Sequence, residues 1–174
     1  LDRADKGGAL NTLELLRVAG NLKSARLIKT SIDKVADDSI VYLKEIASLI
    51  YVDQTLEEEI TSKIISEDTI SDNASKELYH IRKEIRNLNA KIRERLNSYV
   101  HGGLNKYLQD AVVTIRNDRY VIPVKSEYRS FVKGFIHDQS SSGATVFIEP
   151  EHVMELNNDL KSAMLDEANE IHRI

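Results

Sequence analysis

The chain has 174 residues, of which 41% are hydrophobic and 30% are charged, and its formal net charge at pH 7 is −4. This length suits one or two domains with a worthwhile core, and the absence of cysteine excludes a disulfide framework or a thiolate metal site. No apolar run approaches the roughly 20 residues that a membrane-spanning helix needs, so we expect a soluble cytoplasmic protein without a membrane partner.

The predicted elements begin with a helix in which Leu10, Leu13 and Leu16 recur at helical spacing around the capping residue Asn11. Gly20 is expected to bend or break this helix. Two further helices are predicted behind capping groups. Their caps and apolar positions are Asp37 to Ser39 with Tyr42, Ile46 and Ile50, and Asp53 with Leu56, Ile60 and Ile64.

The longest periodic segment follows Asn73, and its apolar side chains alternate steps of three and four residues. This pattern indicates a narrow seam suited to pairing with another long helix. The seam residues are Leu78, Ile81, Ile85, Leu88, Ile92 and Leu96. Roughly 25 helical residues at 1.5 Å each give a rod of about 38 Å. The last segment is the expected antiparallel partner, through Val153, Leu156, Leu160, Met164 or Leu165, Ala168 and Ile171.

Strand signals and polar turns separate these two long helices. Asn117-Asp118 lies between two β-rich runs and predicts a hairpin. The polar run from Asp138 to Gly143 predicts a loop, and residues 145–148 predict a further strand. Glu149-Pro150 is expected to open the final helix, since proline suits a first helical turn.

The segment RYVIPVKSEYRSFVKGFIHDQSSSGATVFIEP, followed by Leu156-Asn157-Asn158, resembles the MutS superfamily, specifically its bacterial type-2 branch. Members of that branch are paralogues of the mismatch-repair MutS proteins and lack their mismatch-reading domain. The resemblance also implies a P-loop ATPase domain and, commonly, a C-terminal Smr-type nuclease domain. It extends from Gly7-Gly8-Ala9-Leu10 to the last helix, and its specificity lies mainly in residues 119–158.

We therefore predict a mainly α fold with a small antiparallel β insert, built as a helical core plus long antiparallel lever helices. The predicted divisions are a helical core (1–72), an outgoing lever helix and connector (73–108), a small clamp-like or lever-associated β unit (109–149) and a returning lever helix (150–174). The chain begins at Leu1 rather than methionine and ends at Ile174 within a heptad-like run. We expect a fragment of a longer protein.

The positive charge gathers in the middle of the chain, where residues 73–98 hold seven basic and three acidic side chains. Six of these cations avoid the apolar seam and are candidates for salt-sensitive contacts to a phosphate backbone. They are Arg82, Lys83, Arg86, Lys91, Arg93 and Arg95. A solvated face of a coiled coil explains the same pattern without any ligand.

The β insert carries a second group of candidates, Lys125, Arg129 and Lys133, with Tyr120 and Tyr128 among them. Such cations position a phosphate backbone, and exposed aromatic rings stack on bases. A half-buried sheet with inward tyrosines and solvated lysines produces the same spacing. The turn from Ser140 to Gly143 is a further candidate, through its backbone N–H groups.

We predict no catalytic, cofactor or metal site in these residues. His137-Asp138 beside Ser140 has the residue types of a hydrolase triad, but the nucleophile-elbow pattern is absent. His152 with Glu155 is a single helical pair, whereas a structural zinc site needs four ligands. The sequence also lacks a GxxxxGK[ST] phosphate loop, so an ATPase domain of the parent protein would lie elsewhere.

Together, these features predict a non-catalytic core and lever fragment that couples nucleic-acid binding to the motion of ATPase domains. The resemblance implies a homodimeric parent that binds ATP and magnesium, hydrolyses ATP in a DNA-dependent way and carries an endonuclease domain. Its implied partners are structured or branched DNA, in repair and suppression of recombination, or stalled ribosomes and their RNA. The alternative is a helical protein-interaction or structural module without direct nucleic-acid contact. Salt dependence separates the two, because phosphate binding weakens steeply with salt.

Overall fold

The computed structural model describes residues 2–174, including all of their side chains except those of Asp2, Arg3 and Asp38. It is mainly α-helical with two small antiparallel sheets, which confirms the predicted fold class at that level. The chain divides into two compact units, residues 2–75 and 76–174. Leu1, where the predicted core domain begins, lies outside the described residues. Among the described residues, every helix is too short or too polar to cross a bilayer.

The first unit contains helices followed by a two-stranded hairpin. They are α1 (Asp2–Asp5), α2 (Thr12–Asp33), α3 (Val41–Ser48), α4 (Gln54–Lys63), β1 (Ile64–Ser66) and β2 (Thr69–Ile70). The predicted cap of α2 is confirmed, because Asn11 and Glu14 each accept a hydrogen bond from the other's backbone N–H at 2.9 Å. The predicted break at Gly20 is wrong, since α2 continues through it. A single glycine costs a helix only about 1 kcal/mol, which tertiary packing overrides.

The end of α4 also differs from the prediction. Ile64, predicted to be helical, is the first residue of β1 and pairs with Ile70. Its side chain is buried with Ala19 and Ile60 in the core of the first unit. The spacing from Ile60 to Ile64 fitted a helix, but the first residue of a strand can bury an isoleucine in the same core. Apolar spacing alone therefore did not show where α4 ends.

Polar contacts fix the helices of the first unit. The predicted cap of α4 is confirmed, because the Asp53 carboxylate accepts from the backbone N–H of residue 56 at 2.9 Å. The Asp37 carboxylate accepts from the backbone N–H of residue 39 at 2.8 Å, but it caps a 3₁₀ helix, Asp38–Ile40, that precedes α3, and α3 itself has no side-chain cap. Arg26 on α2 donates to both carboxylate oxygens of Glu57 on α4 at 2.8 Å. This bidentate hydrogen bond lowers the pKa of Glu57.

The second unit consists of two long helices and a four-stranded sheet. Its elements are α5 (Lys76–Val100), β3 (Thr114–Arg116), β4 (Arg119–Lys125), β5 (Gly134–Gln139), β6 (Thr145–Pro150) and α6 (Glu151–Arg173). The strand order is β3-β4-β6-β5, and every neighbouring pair is antiparallel. One continuous core joins the helices to the sheet. Its members include Leu88, Ile92 and Leu96 of α5, Ile122 of β4 and Ile148 of β6.

The predicted hairpin is confirmed. Thr114 to Arg116 pair with Arg119 to Val121 across a two-residue turn formed by Asn117 and Asp118. Both turn residues have positive φ, at 50° and 61°, which matches the type I′ turn that suits the twist of antiparallel strands. Asparagine and aspartate tolerate this conformation better than other side chains, so the pair was a specific signal.

The predicted seam of α5 packs as expected. Five of its six residues are buried, and Ile85 packs against the core while remaining partly exposed. Cross-helix contacts join residue 82 to residue 167 and residue 95 to residue 152, so α5 and α6 run antiparallel. The returning helix therefore occupies the seam within the same chain.

The predicted apolar face of α6 is only partly right. Val153 and Leu160 are buried, but Met164 and Leu165 are 46% and 58% exposed. The buried face continues instead through Asn157, Ala163 and Glu170. Two of these residues are polar and have hydrogen-bond partners inside the unit, so hydrophobicity alone did not identify the whole buried face.

The junction between β6 and α6 also differs in detail from the prediction. Pro150 is the last residue of β6 and the N-cap of α6, which begins at Glu151. β5 passes close to this junction at Gly134, where a Cβ atom would lie 2.1 Å from the carbonyl oxygen of Glu149. Only glycine permits this approach of the two strands.

Candidate nucleic-acid interface

The six candidate cations of α5 do not form a single face. At about 100° per residue, Arg82, Arg86 and Arg93 lie within about 40° of one another along one flank of the helix. Lys91 and Arg95 lie within about 40° of each other on the opposite flank, and Lys83 points away from the seam. The helix therefore distributes its positive charge around its circumference instead of concentrating it on one stripe.

Several of these cations already have partners inside the unit. Arg82 forms an ion pair with Glu167 at 2.7 Å, and its side chain is only 18% exposed. Arg95 donates to the backbone carbonyl of His152 at 3.0 Å. The guanidinium of Arg93 lies 5.9 Å from the centre of the Tyr120 ring. These contacts favour a structural role for the three arginines. Every candidate of α5 except Arg82 is exposed.

The three cations of the β insert surround one short segment. A 3₁₀ helix, Ser126–Phe131, connects β4 to β5. Lys125 is the last residue of β4 and is half-buried, Arg129 is exposed within the 3₁₀ helix, and Lys133 is exposed just before β5. The connection between the two strands thus brings the three cations into one stretch of nine residues, 125–133.

The two tyrosines predicted beside these cations have different environments. Tyr120 is 6% exposed, and its hydroxyl donates to the side-chain oxygen of Asn89 at 2.6 Å. Its ring therefore packs in the core and is not a stacking surface, as the alternative of a half-buried sheet with inward tyrosines predicts. Tyr128 is half-buried and contacts Phe131 edge-on, with ring centres 6.0 Å apart.

An aromatic cluster that the sequence analysis missed lies beside the cations. Tyr107 stacks on Phe131 with ring centres 5.0 Å apart and an angle of 17° between their planes. Phe131 remains 59% exposed. The sequence signal was ambiguous, because Phe131 precedes the buried Val132 and fits the start of a strand equally well.

The turn after β5 is less available to a phosphate than predicted. The backbone N–H of Gly143 donates to the carbonyl of Ser140 at 2.8 Å, and that of Thr145 donates to the Ser140 hydroxyl at 3.1 Å. Gly143 has a φ of 74°, which favours glycine. These amides therefore close the turn on itself instead of pointing at a ligand.

A buried carboxylate network is the second feature that the sequence analysis missed. Glu149 is 1% exposed and accepts hydrogen bonds from Arg119 at 2.9 Å and from Asn157 at 2.8 Å. The Nε2 atom of His137 lies 2.5 Å from the same carboxylate. Asn157 also bonds both backbone groups of Tyr120. The network ties β4, β5 and β6 to α6.

The geometry does not assemble a triad from His137, Asp138 and Ser140. His137 contacts Glu149, whereas Asp138 forms an ion pair with Arg116 at 3.2 Å. Within the described residues, no group of three or more His, Cys, Asp or Glu side chains is arranged to hold a metal ion. The polar residues of the insert instead hold its strands together.

Proteins named Endonuclease MutS2 are similar to this chain over its whole length. The chain is 47% identical over 175 residues to that of Clostridium botulinum (strain Eklund 17B / Type B) and 47% identical over 176 residues to that of Ruminiclostridium cellulolyticum. It is 45% identical over 175 residues to that of Clostridioides difficile. The chain spans 22% of the length of each relative. No protein-family model matches it.

Proposed function

Because the chain is a member of the MutS2 type of the MutS family, we propose that it forms a core and lever region of a larger MutS-like ATPase and contacts nucleic acid through its β insert. The observation that carries the proposal is the grouping of Lys125, Arg129 and Lys133 around one exposed 3₁₀ segment. Cations grouped in this way neutralise neighbouring phosphates and release their counterions.

The packing of the second unit supports the lever role. α5 and α6 bury a shared seam and continue into the same core as the sheet. A packed pair of long helices transmits a displacement better than a solvated loop, since packed interiors have low compressibility. We propose that residues 73–108 and 150–174 are the two lever segments, that 109–149 is the clamp-like unit, and that 1–72 is the core.

The activities of the whole protein are part of this proposal. The relatives are named as endonucleases, and we propose a homodimeric parent with that activity in a separate domain. ATP and magnesium would bind its ATPase domain, and this region would be non-catalytic. Its proposed partners are structured or branched DNA, in repair and suppression of recombination, or stalled ribosomes, in the cytoplasm.

A protein-interaction module is the second candidate, and a different surface favours it. The seam of α5 is filled by α6, so a partner helix would need another apolar face. The region of α3 offers one, because Tyr42, Ile46 and Leu49 are 81%, 63% and 83% exposed. Apolar side chains grouped in this way are typical of protein interaction sites.

Reversing the charge of Lys125, Arg129 and Lys133 to glutamate tests where nucleic acid binds. We expect the variant to lose most of its affinity for a four-way DNA junction, because three phosphate contacts become repulsive. Fluorescence anisotropy against the junction, duplex DNA and structured RNA measures the loss. The matched control reverses three exposed lysines outside both candidate groups, Lys6, Lys34 and Lys76, and changes the net charge equally. Equal losses in both variants would contradict a contact on the β insert.

A further inference from the structure

A cavity of about 800 Å³ lies where the end of α5, the connector after it, the 3₁₀ helix and the start of α6 meet. Its volume falls within the range of about 300–1,000 Å³ found for small-molecule pockets. Four of the ten lining residues carry aromatic rings, namely Tyr99, Tyr107, Phe131 and His152. A flat, polarisable group is the natural occupant of such a space.

Phe131 forms one wall, and its neighbours hold it in place. Tyr107 stacks on it, Tyr128 contacts it edge-on, and the adjacent Val132 is 5% exposed. The ring is nevertheless 59% exposed. An aromatic ring that is fixed by packing and still open to solvent can stack on a planar ligand at a low cost in conformational entropy.

His152 and Tyr99 form another part of the wall. The His152 ring stacks on Tyr99 with centres 3.9 Å apart and an angle of 20° between planes. Its Nε2 atom is buried and has no hydrogen-bond partner among the described residues. Burial and the nearby Arg95 cation lower the pKa of His152, so the ring is neutral at pH 7.

Two lysines lie at or near the cavity. Lys133 lines it, and the ammonium of Lys106 lies 4.9 Å from the centre of the Tyr107 ring. Glu151 is the acidic residue among the lining side chains. A nucleotide combines a planar base, which can stack on the rings, with a phosphate, which can contact the lysines.

We propose that this cavity receives an unpaired base of single-stranded DNA or RNA, stacked on Phe131, with its phosphates near Lys133 and Lys106. This inference rests on the proposed nucleic-acid function and adds a preference for unpaired nucleotides. A base inside a duplex cannot enter, because it is stacked and paired with its neighbours.

Phe131→Ala tests the proposal with the full 174-residue chain. The probe is a fluorescein-labelled oligothymidine of about 16 nucleotides, at the upper end of the site sizes typical of single-strand binders. We expect the affinity to fall about 5- to 150-fold, the loss that one stacked base accounts for. Affinity for a blunt duplex of the same length should stay unchanged. An oligouridine of equal length shows whether DNA or RNA is preferred.

Phe135→Ala is the matched control, because Phe135 is 64% exposed on β5 and does not line the cavity. It should bind the oligonucleotides as the unaltered chain does. Equal binding by both variants, or binding of duplex without binding of single strands, would overturn the cavity proposal while leaving the nucleic-acid function standing. Absence of binding to every probe at low salt would overturn both.

Discussion

Replacing Arg119 with methionine is expected to destabilise the second unit by about 3–5 kcal/mol, the cost of removing one partner from a buried ion pair. Glu149 is 1% exposed, and Arg119 is its closest permanently charged partner. Without the guanidinium, the carboxylate would stay in the interior with only Asn157 and His137. Hydrogen exchange of the α5 amides measures the loss, because it reports opening of this unit alone.

A second substitution separates the buried charge from lost packing. Adding Glu149→Gln to Arg119→Met should recover much of the stability, since it removes the charge that was left unpaired. Arg129→Met is the control, because Arg129 is exposed. Its α5 amides should exchange at the same rates as those of the unaltered chain. If the α5 amides exchanged no faster in Arg119→Met than in Arg129→Met, the Glu149 network would not stabilise this unit.

Leu96→Ala is expected to destabilise the same unit by about 2–5 kcal/mol, through lost apolar burial and the cavity that remains. Leu96 is fully buried in the core shared by α5, α6 and the sheet. Urea unfolding followed by circular dichroism measures the change. Leu165→Ala is the matched control on α6, where the side chain is 58% exposed. Similar losses in both would mean that the observed packing face of α6 is wrong.

Local rules predicted much of this fold from the sequence. The caps at Asn11, Asp37 and Asp53, the Asn117-Asp118 turn and the seam of α5 all follow from short-range patterns in the chain. Caps and turns depend on residues that are close in the sequence, so tertiary packing changes them little. The face of α6 was harder to predict, because its buried polar residues depend on partners that the apolar pattern does not identify. They are Asn157 and Glu170.

The candidate site required information that only the folded chain contains. The cations at residues 125, 129 and 133 were apparent from their spacing, but Tyr120 has the same strand propensity whether it faces the core or solvent. Phe131 was missed because an irregular 3₁₀ segment turns it outward. Glu149 was missed because its partner Arg119 lies 30 residues away in the sequence.

The most direct test of the proposed function is the salt dependence of binding to a labelled four-way DNA junction, measured by fluorescence anisotropy. Three phosphate contacts predict a log–log slope of about −2.7, which is about 40-fold weaker binding over a fourfold rise in salt. Absence of binding at low salt, or an affinity that salt leaves unchanged, would contradict a phosphate-contacting region. Absence of binding would favour the protein-interaction module, which makes no direct contact with nucleic acid.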